Sequence, residues 1–277
     1  MRTNLMRSLA VAAIAAAALG ACQSMGGGGS ASVTPTSAHI VAAINDPARP
    51  QDVDAAPGCT DAAKPCNGKA LDQYRKPADM LAFADVHPGE KIGELIPGAG
   101  YMTRLLSKAV GPTGKVYVFA SAPVARPNQP LPAAPIAAIT ADTSNYANVS
   151  VVITDFTKIP APEPLDLVWT SQNYHDMHNP GRNLDITAAN KAIFNALKPG
   201  GYYVVLDHQS AKGVDFSADL HRIDKEKVKA EVLAAGFQYV GESTVLANPN
   251  DDGTKVVFDP SVRRNTNQFI LKFKRPS

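Results

Sequence analysis

Residues 91–104 join a short apolar strand to a helix through a glycine-rich turn, and this junction constrains the fold more than any other segment. It reads Lys91-Ile-Gly-Glu-Leu-Ile-Pro-Gly-Ala-Gly-Tyr-Met-Thr-Arg104. Gly98 and Gly100 have no Cβ, so a ligand can approach their backbone, and the free N–H groups of the following helix can bind a carboxylate or a phosphate. Glycine-rich turns also allow tight packing of a strand on a helix, so the motif alone leaves both interpretations open.

From residue 69 onward, short apolar or β-branched runs alternate with segments of helical periodicity, which is typical of a parallel sheet covered by helices. The predicted strands are Lys91–Leu95, Val116–Phe119, Val149–Thr154, Leu165–Thr170, Tyr202–Asp207, Phe237–Glu242 and Gln268–Lys274. The predicted helices are Pro77–Val86, Tyr101–Val110, Thr187–Leu197 and Lys225–Ala235. This order predicts an α/β fold that closes with an antiparallel β-hairpin.

The composition excludes a disordered or fibrous chain, because 45% of the 277 residues are hydrophobic. The chain has 27 basic and 25 acidic residues. Two of the basic residues, Arg2 and Arg7, lie in a segment that we expect to be removed, which leaves the mature chain neutral. Non-specific nucleic-acid binding draws its affinity from neutralised phosphates, so we expect no nucleic-acid partner.

The N-terminus has the features of an export signal. Arg2 and Arg7 precede a small and apolar run from Leu9 to Ala21, which is too short to span a membrane as a helix. The run ends in Leu19-Gly-Ala-Cys22, which resembles the lipobox of bacterial lipoproteins; the alternative is an ordinary secretory signal that ends by chance at a cysteine. No Asp follows Cys22, so we expect a lipoprotein that reaches the periplasm and is anchored in the outer membrane.

The cysteines and glycines beyond the signal predict the organisation of the N-terminal part. Gly26–Gly29 has the composition of a flexible tether. Cys59 and Cys66 form an even pair in an exported chain and predict a disulfide, with a thiol metal site as the alternative. We expect a signal peptide in residues 1–21, a lipid-anchored extension in 22–68 and the main domain in 69–277.

Four segments of the main domain together resemble class I S-adenosylmethionine-dependent methyltransferases. The first is the glycine-rich junction, in which Glu94 stands at the acidic strand position and Gly98 and Gly100 are two of the motif glycines. The others resemble the third strand, the fourth strand, and the helix, loop and fifth strand of that family; they are Asn148–Asp155, Leu165–Thr170 and Asn195–Leu206. More narrowly, the Ile-Pro-Gly-Ala-Gly-Tyr turn, Asn173–Asp176, Asp207-His208, His221–Asp224 and Ala235–Phe237 resemble a group of bacterial, often exported, predicted methyltransferases.

The resemblance implies a Rossmann-like, seven-stranded, mostly parallel sheet with helices on both faces, and S-adenosylmethionine as cofactor at the carboxyl ends of the first strands. The implied cofactor-binding residues are Glu94, Pro97, Gly98, Ala99, Gly100, Tyr101, Ala120 and Asp155. The chain departs from the family pattern at two positions. Ile96 replaces a usual glycine, and Ala120 stands where an acidic residue usually accepts hydrogen bonds from the ribose hydroxyls.

The segment after the fourth strand has the most chemically active side chains. By resemblance, Asn173, Tyr174, His175 and Asp176 would lie near the transferred methyl group. His175 is the candidate general base, because the unperturbed pKa of a histidine side chain lies near neutrality. Asp176 or Asp207 would orient it. The alternative is that His175 and His178 are solvated loop residues.

Four of the six histidines fall between residues 175 and 221, and several aspartates lie close to them in sequence, a combination that can ligate zinc or a similar ion. These residues are His175, His178, His208, His221, Asp176, Asp207 and Asp219. No established metal motif is matched, so the sequence predicts no metal site. The predicted function is methyl transfer to a small molecule; the alternatives are a periplasmic binding protein that lost catalysis and a metal-dependent hydrolase.

Overall fold

The computed structural model describes residues 36–50, 68–123 and 136–277. Residues Thr36–Ser277 form one compact unit. The predicted lipidation site Cys22, the tether at Gly26–Gly29 and the predicted disulfide between Cys59 and Cys66 lie outside the described residues.

The described residues form nine strands and nine α-helices, together with two short 3-10 helices. The strands are β1 Lys91–Leu95, β2 Lys115–Ala120, β3 Val149–Ile153, β4 Leu165–Ser171, β5 Leu197–His208, β6 Phe216–Ser217, β7 Arg222–Ile223, β8 Gln238–Ser243 and β9 Gln268–Lys274. The helices are α1 Ala38–Asn45, α2 Asp72–Arg75, α3 Pro77–Ala84, α4 Tyr101–Val110, α5 Ala137–Ala141, α6 Thr143–Tyr146, α7 Tyr174–Met177, α8 Ile186–Ala196 and α9 Lys225–Ala234. No helix among the described residues is long and apolar enough to cross a membrane.

Seven strands form one sheet in the order β3-β2-β1-β4-β5-β9-β8. The strands from β3 to β5 pair in parallel, whereas β9 pairs antiparallel with both β5 and β8. The predicted seven-stranded, mostly parallel sheet and its C-terminal antiparallel pair are therefore confirmed. Strand β1 lies between β2 and β4, so the strand order reverses beside it, which is where open α/β sheets bind their ligands.

Each face of the sheet is covered by a separate hydrophobic core. On one face Ile92, Trp169 and Leu206 are buried with residues of α1, α3 and α4. On the other face Val205 and Leu271 are buried with residues of α8 and α9. Because successive side chains of a strand point to opposite faces, a run of apolar residues supplies both cores at once. Helices therefore cover both faces, as predicted.

Helix α1 lies in the predicted N-terminal extension and packs on the domain. Its Ile40 and Ala43 are buried in the same core as α4. Arg49, which follows the helix, is buried and forms an ion pair of 2.7 Å with the partly exposed Asp72 at the start of α2. This pair fastens residues 36–50 beside the turn that connects β1 to α4.

Candidate functional site

A cavity of about 120 Å³ lies at the carboxyl ends of β1 and β4, where the strand order reverses. Of the predicted site residues, it is lined by Glu94, Pro97, Gly98, Ala99, Tyr101 and Asn173. The remaining lining residues are Arg75, Leu95, Ile96, Met102, Ser171 and Gln172. The structure thus brings the glycine-rich turn together with the end of β4.

The two glycines of the turn have different surroundings. Gly98 has a φ of +55° and is exposed, and a Cβ built on it would meet nothing within 4 Å. Gly100 has a φ of +81° and is buried, and a Cβ there would lie 2.3 Å from Cδ1 of Ile139. Gly98 therefore leaves open space beside the cavity, whereas Gly100 allows α4 to pack against α5.

Glu94 supplies a buried carboxyl group to the cavity wall. Its Oε2 accepts a hydrogen bond of 2.6 Å from Oγ1 of Thr103, and the side chain forms no ion pair with any described residue. Burial raises the pKa of Glu94 to about 8, and the Thr103 hydrogen bond reduces the rise only in part. At neutral pH the group is consequently protonated unless a cation is bound beside it.

Arg75, from the end of α2, lines the same cavity and was not predicted from the sequence. Its guanidinium lies 4.6 Å from the ring centroid of Tyr101 and donates a hydrogen bond of 3.0 Å to Oε1 of Gln172. The Tyr101 hydroxyl donates to Asp72, 2.7 Å away, which fixes the ring. Burial lowers the pKa of Arg75. No motif marks this residue, because it reaches the cavity from a segment remote from the glycine-rich turn.

Asn173 connects the two halves of the cavity wall. Its Nδ2 donates to the carbonyl oxygens of Ile96, at 2.8 Å, and Ser171, at 2.5 Å. Ile96 itself has a φ of +51°, an unfavourable value for a β-branched residue. The Asn173 side chain thus holds the turn in the conformation that lines the cavity.

Three predicted cofactor residues, Gly100, Ala120 and Asp155, do not line the cavity. Ala120 is buried at the end of β2, and its carbonyl oxygen accepts a hydrogen bond of 2.9 Å from the Thr154 N–H. Asp155 is exposed, and its Oδ1 accepts hydrogen bonds from the backbone and hydroxyl of Thr157 at 3.0 and 2.8 Å. These hydrogen bonds lower the pKa of Asp155. The carboxylate therefore binds residues of its own turn and does not face the cavity.

The four residues predicted to be catalytic point in different directions. Tyr174 is fully buried on the face covered by α8 and α9, where its hydroxyl lies 3.0 Å from Oε2 of Glu231 and accepts a hydrogen bond from Asn190. His178 also contacts Glu231, at 2.9 Å. Residues 174–177 form one turn of helix, so only Asn173, just before it, lies at the cavity.

His175 forms a buried pair with Asp207 of β5. Its Nδ1 lies 2.7 Å from Oδ1 of Asp207, and its backbone N–H donates to the other carboxylate oxygen, also at 2.7 Å. Burial opposes a charge on His175, but the neighbouring Asp207 and Asp176 carboxylates outweigh it and raise the pKa. Burial alone would raise the pKa of Asp207, yet its contacts with His175 hold it below the usual value.

The other ring nitrogen of His175 faces two further polar side chains. Its Nε2 lies 3.3 Å from Nδ1 of His221 and 3.6 Å from Oδ1 of Asp176, and those two atoms are 3.7 Å apart. His208 takes a different position: its Nδ1 contacts Oγ1 of Thr266 at 2.8 Å, and burial lowers its pKa to about 3. Among the described residues, the histidines and aspartates grouped from the sequence thus yield one set of three, His175, His221 and Asp176, whose potential ligand atoms all lie within 4.8 Å of one another.

Solved structures with a similar fold include a SAM-dependent methyltransferase from Aquifex aeolicus, at 17% identity and a TM-score of 0.50, covering 74% of this chain and 97% of that one. The 4+2 cyclase SpnF matches at 16% identity and a TM-score of 0.51, covering 75% of this chain and 81% of its own. The chain thus shares the Rossmann-like fold of methyltransferases. At this identity the likeness concerns the fold, and one fold can support several reactions. No family model matches the sequence, and no curated protein matches it significantly.

Proposed function

We propose that the protein binds S-adenosylmethionine in the cavity between β1 and β4 and transfers its methyl group to a small-molecule acceptor. One observation carries this proposal. The Glu94 carboxyl group and the Arg75 guanidinium line the same cavity but form no ion pair with each other or with other described residues. A cavity that offers one acidic and one basic side chain suits an α-amino acid, which carries an ammonium and a carboxylate.

The residues present fit the amino-acid end of that cofactor. Arg75 would bind its carboxylate, Glu94 would accept a hydrogen bond from its ammonium, and the open space at Gly98 leaves room for its chain. When bound, the cofactor supplies an electrophilic methyl group. Ala120 offers no carboxylate to the ribose hydroxyls, so we expect weaker affinity than in a chain with an acidic residue there, since such hydrogen bonds contribute about 1.5 to 3 kcal/mol each.

A second cavity gives the acceptor a place next to the first. It has a volume of about 230 Å³ and shares Arg75 and Gln172 with the first cavity. Phe258 and His208 contribute apolar and hydrogen-bonding surface to its wall. Its size and mixed lining suit a small molecule. Of the four residues predicted to be catalytic, Asn173 lines the first cavity, so we place its side chain beside the reacting groups.

The export features support a second part of the proposal. A signal peptide in residues 1–21 and a lipidated Cys22 would place the domain in the periplasm, anchored through its lipid to the outer membrane. Mass spectrometry of the protein extracted from membranes should give the mass of a chain that begins at a lipidated Cys22. A soluble, unmodified chain, or one that retains Met1, would contradict this.

The alternative function is that of a catalytically inactive binding protein, and two observations favour it. His175, the predicted general base, lies outside the linings of both cavities, and Ala120 lacks the usual acidic group. Such a protein would bind S-adenosylmethionine and S-adenosylhomocysteine but would release no S-adenosylhomocysteine in the presence of small-molecule extracts. Product release therefore separates the two functions.

Calorimetry with S-adenosylmethionine and S-adenosylhomocysteine on the purified mature protein tests the binding step. We expect both ligands to bind, and Arg75→Gln to weaken binding at least tenfold, because the carboxylate loses its charged partner. Arg182→Gln is the matched control, since Arg182 is exposed and does not line the cavity. Absence of binding at millimolar ligand, or equal effects of the two variants, would refute the proposed site.

A further inference from the structure

Three ligand atoms from two separate segments of the chain converge beside α7. They are Nε2 of His175, Oδ1 of Asp176 and Nδ1 of His221, the last from the turn before β7. We propose that these three residues form a binding site for a divalent transition-metal ion, zinc by preference, with one coordination position left open. None of the three lines the cofactor cavity, so this inference does not depend on the proposed methyl transfer.

The distances between the three atoms suit a metal ion at their centre. They form a triangle with edges of 3.3, 3.6 and 3.7 Å. The point in their plane that is equidistant from all three atoms lies about 2.0 Å from each, so an ion with tetrahedral angles would lie out of that plane, about 2.2 Å from each atom. That distance is within about 0.2 Å of a zinc bond to an imidazole nitrogen or a carboxylate oxygen. An octahedral ion with bonds of about 2.1 Å would draw neighbouring ligand atoms to about 3.0 Å, so the wider triangle favours a tetrahedral ion.

Asp207 fixes His175 in the orientation that a metal ligand needs. The buried carboxylate accepts the hydrogen bond from Nδ1 at 2.7 Å and is itself held by the His175 and His208 backbone N–H groups. The lone pair of Nε2 is thereby directed at Asp176 and His221. A carboxylate that binds the second nitrogen of a histidine is the usual support of a zinc-bound imidazole.

The other two ligands are also poised for a cation. The Asp176 side chain is half-buried, and its carboxylate makes no hydrogen bond to the described residues, although it lies almost equally far from both imidazoles. A hydrogen bond between the two imidazoles would account for the contact of His175 with His221, but it would give the nearby Asp176 carboxylate no partner. His221 has a φ of +55°, a costly conformation for a non-glycine residue, and such strain often marks a functional site.

Packing around His221 holds it in place while leaving the site accessible. The Phe258 ring contacts the His221 ring edge-on at 5.1 Å, and the next residue, Arg222, is anchored by a buried ion pair with Asp251. The His221 side chain is 34% exposed, so water or a small molecule can reach the centre. Three protein ligands and one accessible position are the arrangement of zinc sites that act on a bound molecule.

Zinc titration of the metal-free mature protein, with a chromophoric chelator as competitor, tests this site. We expect one zinc ion per chain, and at least tenfold weaker binding in His221→Ala and in Asp176→Asn. Cobalt should bind at the same place and give the strong visible absorption of four-coordinate cobalt. Circular dichroism of each variant shows whether the fold is retained; Asp176→Asn keeps the size of the side chain and is the variant less prone to disturb it.

Two controls separate this site from other metal ligands of the chain. His87→Ala removes an exposed histidine that lies 3.1 Å from Asp85, a His–Asp pair far less buried than the proposed site. Cys59→Ser with Cys66→Ser removes both cysteines, whether they are free thiols or the predicted disulfide. We expect zinc binding to survive both changes. Failure of the wild type to bind zinc at micromolar concentration, or binding that depends on His87 or on the cysteines instead of the triad, would overturn the proposal.

Discussion

Glu94 should make cofactor binding depend on pH. Its pKa is raised to about 8 by burial, so the free protein holds it protonated at pH 7. A bound ammonium group favours the carboxylate, so binding should release a proton from Glu94 and should strengthen as the pH rises towards 8. Between pH 6 and pH 7 we expect the affinity for S-adenosylmethionine to rise by up to about tenfold.

Glu94→Gln is the matched variant for this prediction, because it keeps the shape of the side chain but cannot ionise. Its affinity should be lower than that of the wild type at pH 7 and should hardly change between pH 6 and pH 7. Calorimetry in two buffers with different ionisation enthalpies measures the proton release directly. A wild-type affinity that falls over this range would show that Glu94 does not contact the ammonium.

Substitutions of the two turn glycines should have opposite consequences. Gly98→Val fills open space beside the cavity, so it should abolish ligand binding and shift the Tm by only a few degrees, from the cost of its positive φ. Gly100→Val forces a side chain into Ile139 and should lower the Tm much further. Calorimetry and thermal melts of both variants check this, and retained binding in Gly98→Val would contradict it.

The sequence predicts some of these residues and not others for physical reasons. Glu94 and Gly98 belong to one continuous strand and turn, so a local pattern places them together. Arg75 reaches the same cavity from α2, and His221 reaches His175 across 46 positions of chain. Contacts of that kind depend on how the helices pack, which a single sequence does not display.

Among the secondary-structure elements, those with an uninterrupted pattern were predicted best, whereas the longest strand, β5, begins at Leu197, five residues before its predicted start. Strands β1 and β9 and helix α4 have the predicted bounds, because buried strands and amphipathic helices repeat their pattern over several residues. The one-turn helices α2, α5, α6 and α7 were missed, since four or five residues show no periodicity. In α7 this matters for function, because successive residues of a helix point about 100° apart. The turn therefore sends Tyr174 into the core and His175 towards Asp207.

The connection from β8 to β9 should depend on one buried ion pair. Asp251 accepts two hydrogen bonds from Arg222, at 2.9 and 3.1 Å, and another from the Asn267 backbone, at 2.6 Å. Both charged side chains are almost fully buried. Asp251→Asn leaves the Arg222 charge without its partner, so we expect a loss of about 3 to 5 kcal/mol in the free energy of unfolding.

An exposed ion pair serves as the control for that prediction. Glu226 and Lys229 lie 3.0 Å apart on the surface of α9, and Glu226→Gln should change the free energy of unfolding by less than about 0.5 kcal/mol. Urea denaturation of both variants measures the difference. Because Arg222 follows His221, Asp251→Asn should also weaken zinc binding. Equal stability of the two variants would mean that the pair does not hold this connection.

At the scale of the whole molecule, the sequence predicted the order of the main elements and the packing of helices on both faces of the sheet. A parallel sheet that is buried on both faces needs continuous apolar runs, and β2 and β4 contain such runs. The seven-strand topology followed from the resemblance. The predicted lipid anchor and disulfide fall outside the described residues and stay predictions. The cavities depend on side chains from distant elements and became visible only in the folded chain.

Ligand binding should stabilise the whole compact unit, because the cavity is built from α2, β1, α4 and β4 and exists only when these elements are folded. S-adenosylhomocysteine at one hundred times its Kd should add about 2.7 kcal/mol to the free energy of unfolding. For a unit of this size that gain raises the Tm by about 5 to 10 °C. Differential scanning calorimetry of wild type and Arg75→Gln at one ligand concentration checks this. The variant should show a clearly smaller shift, and an equal shift in both proteins would place the ligand elsewhere.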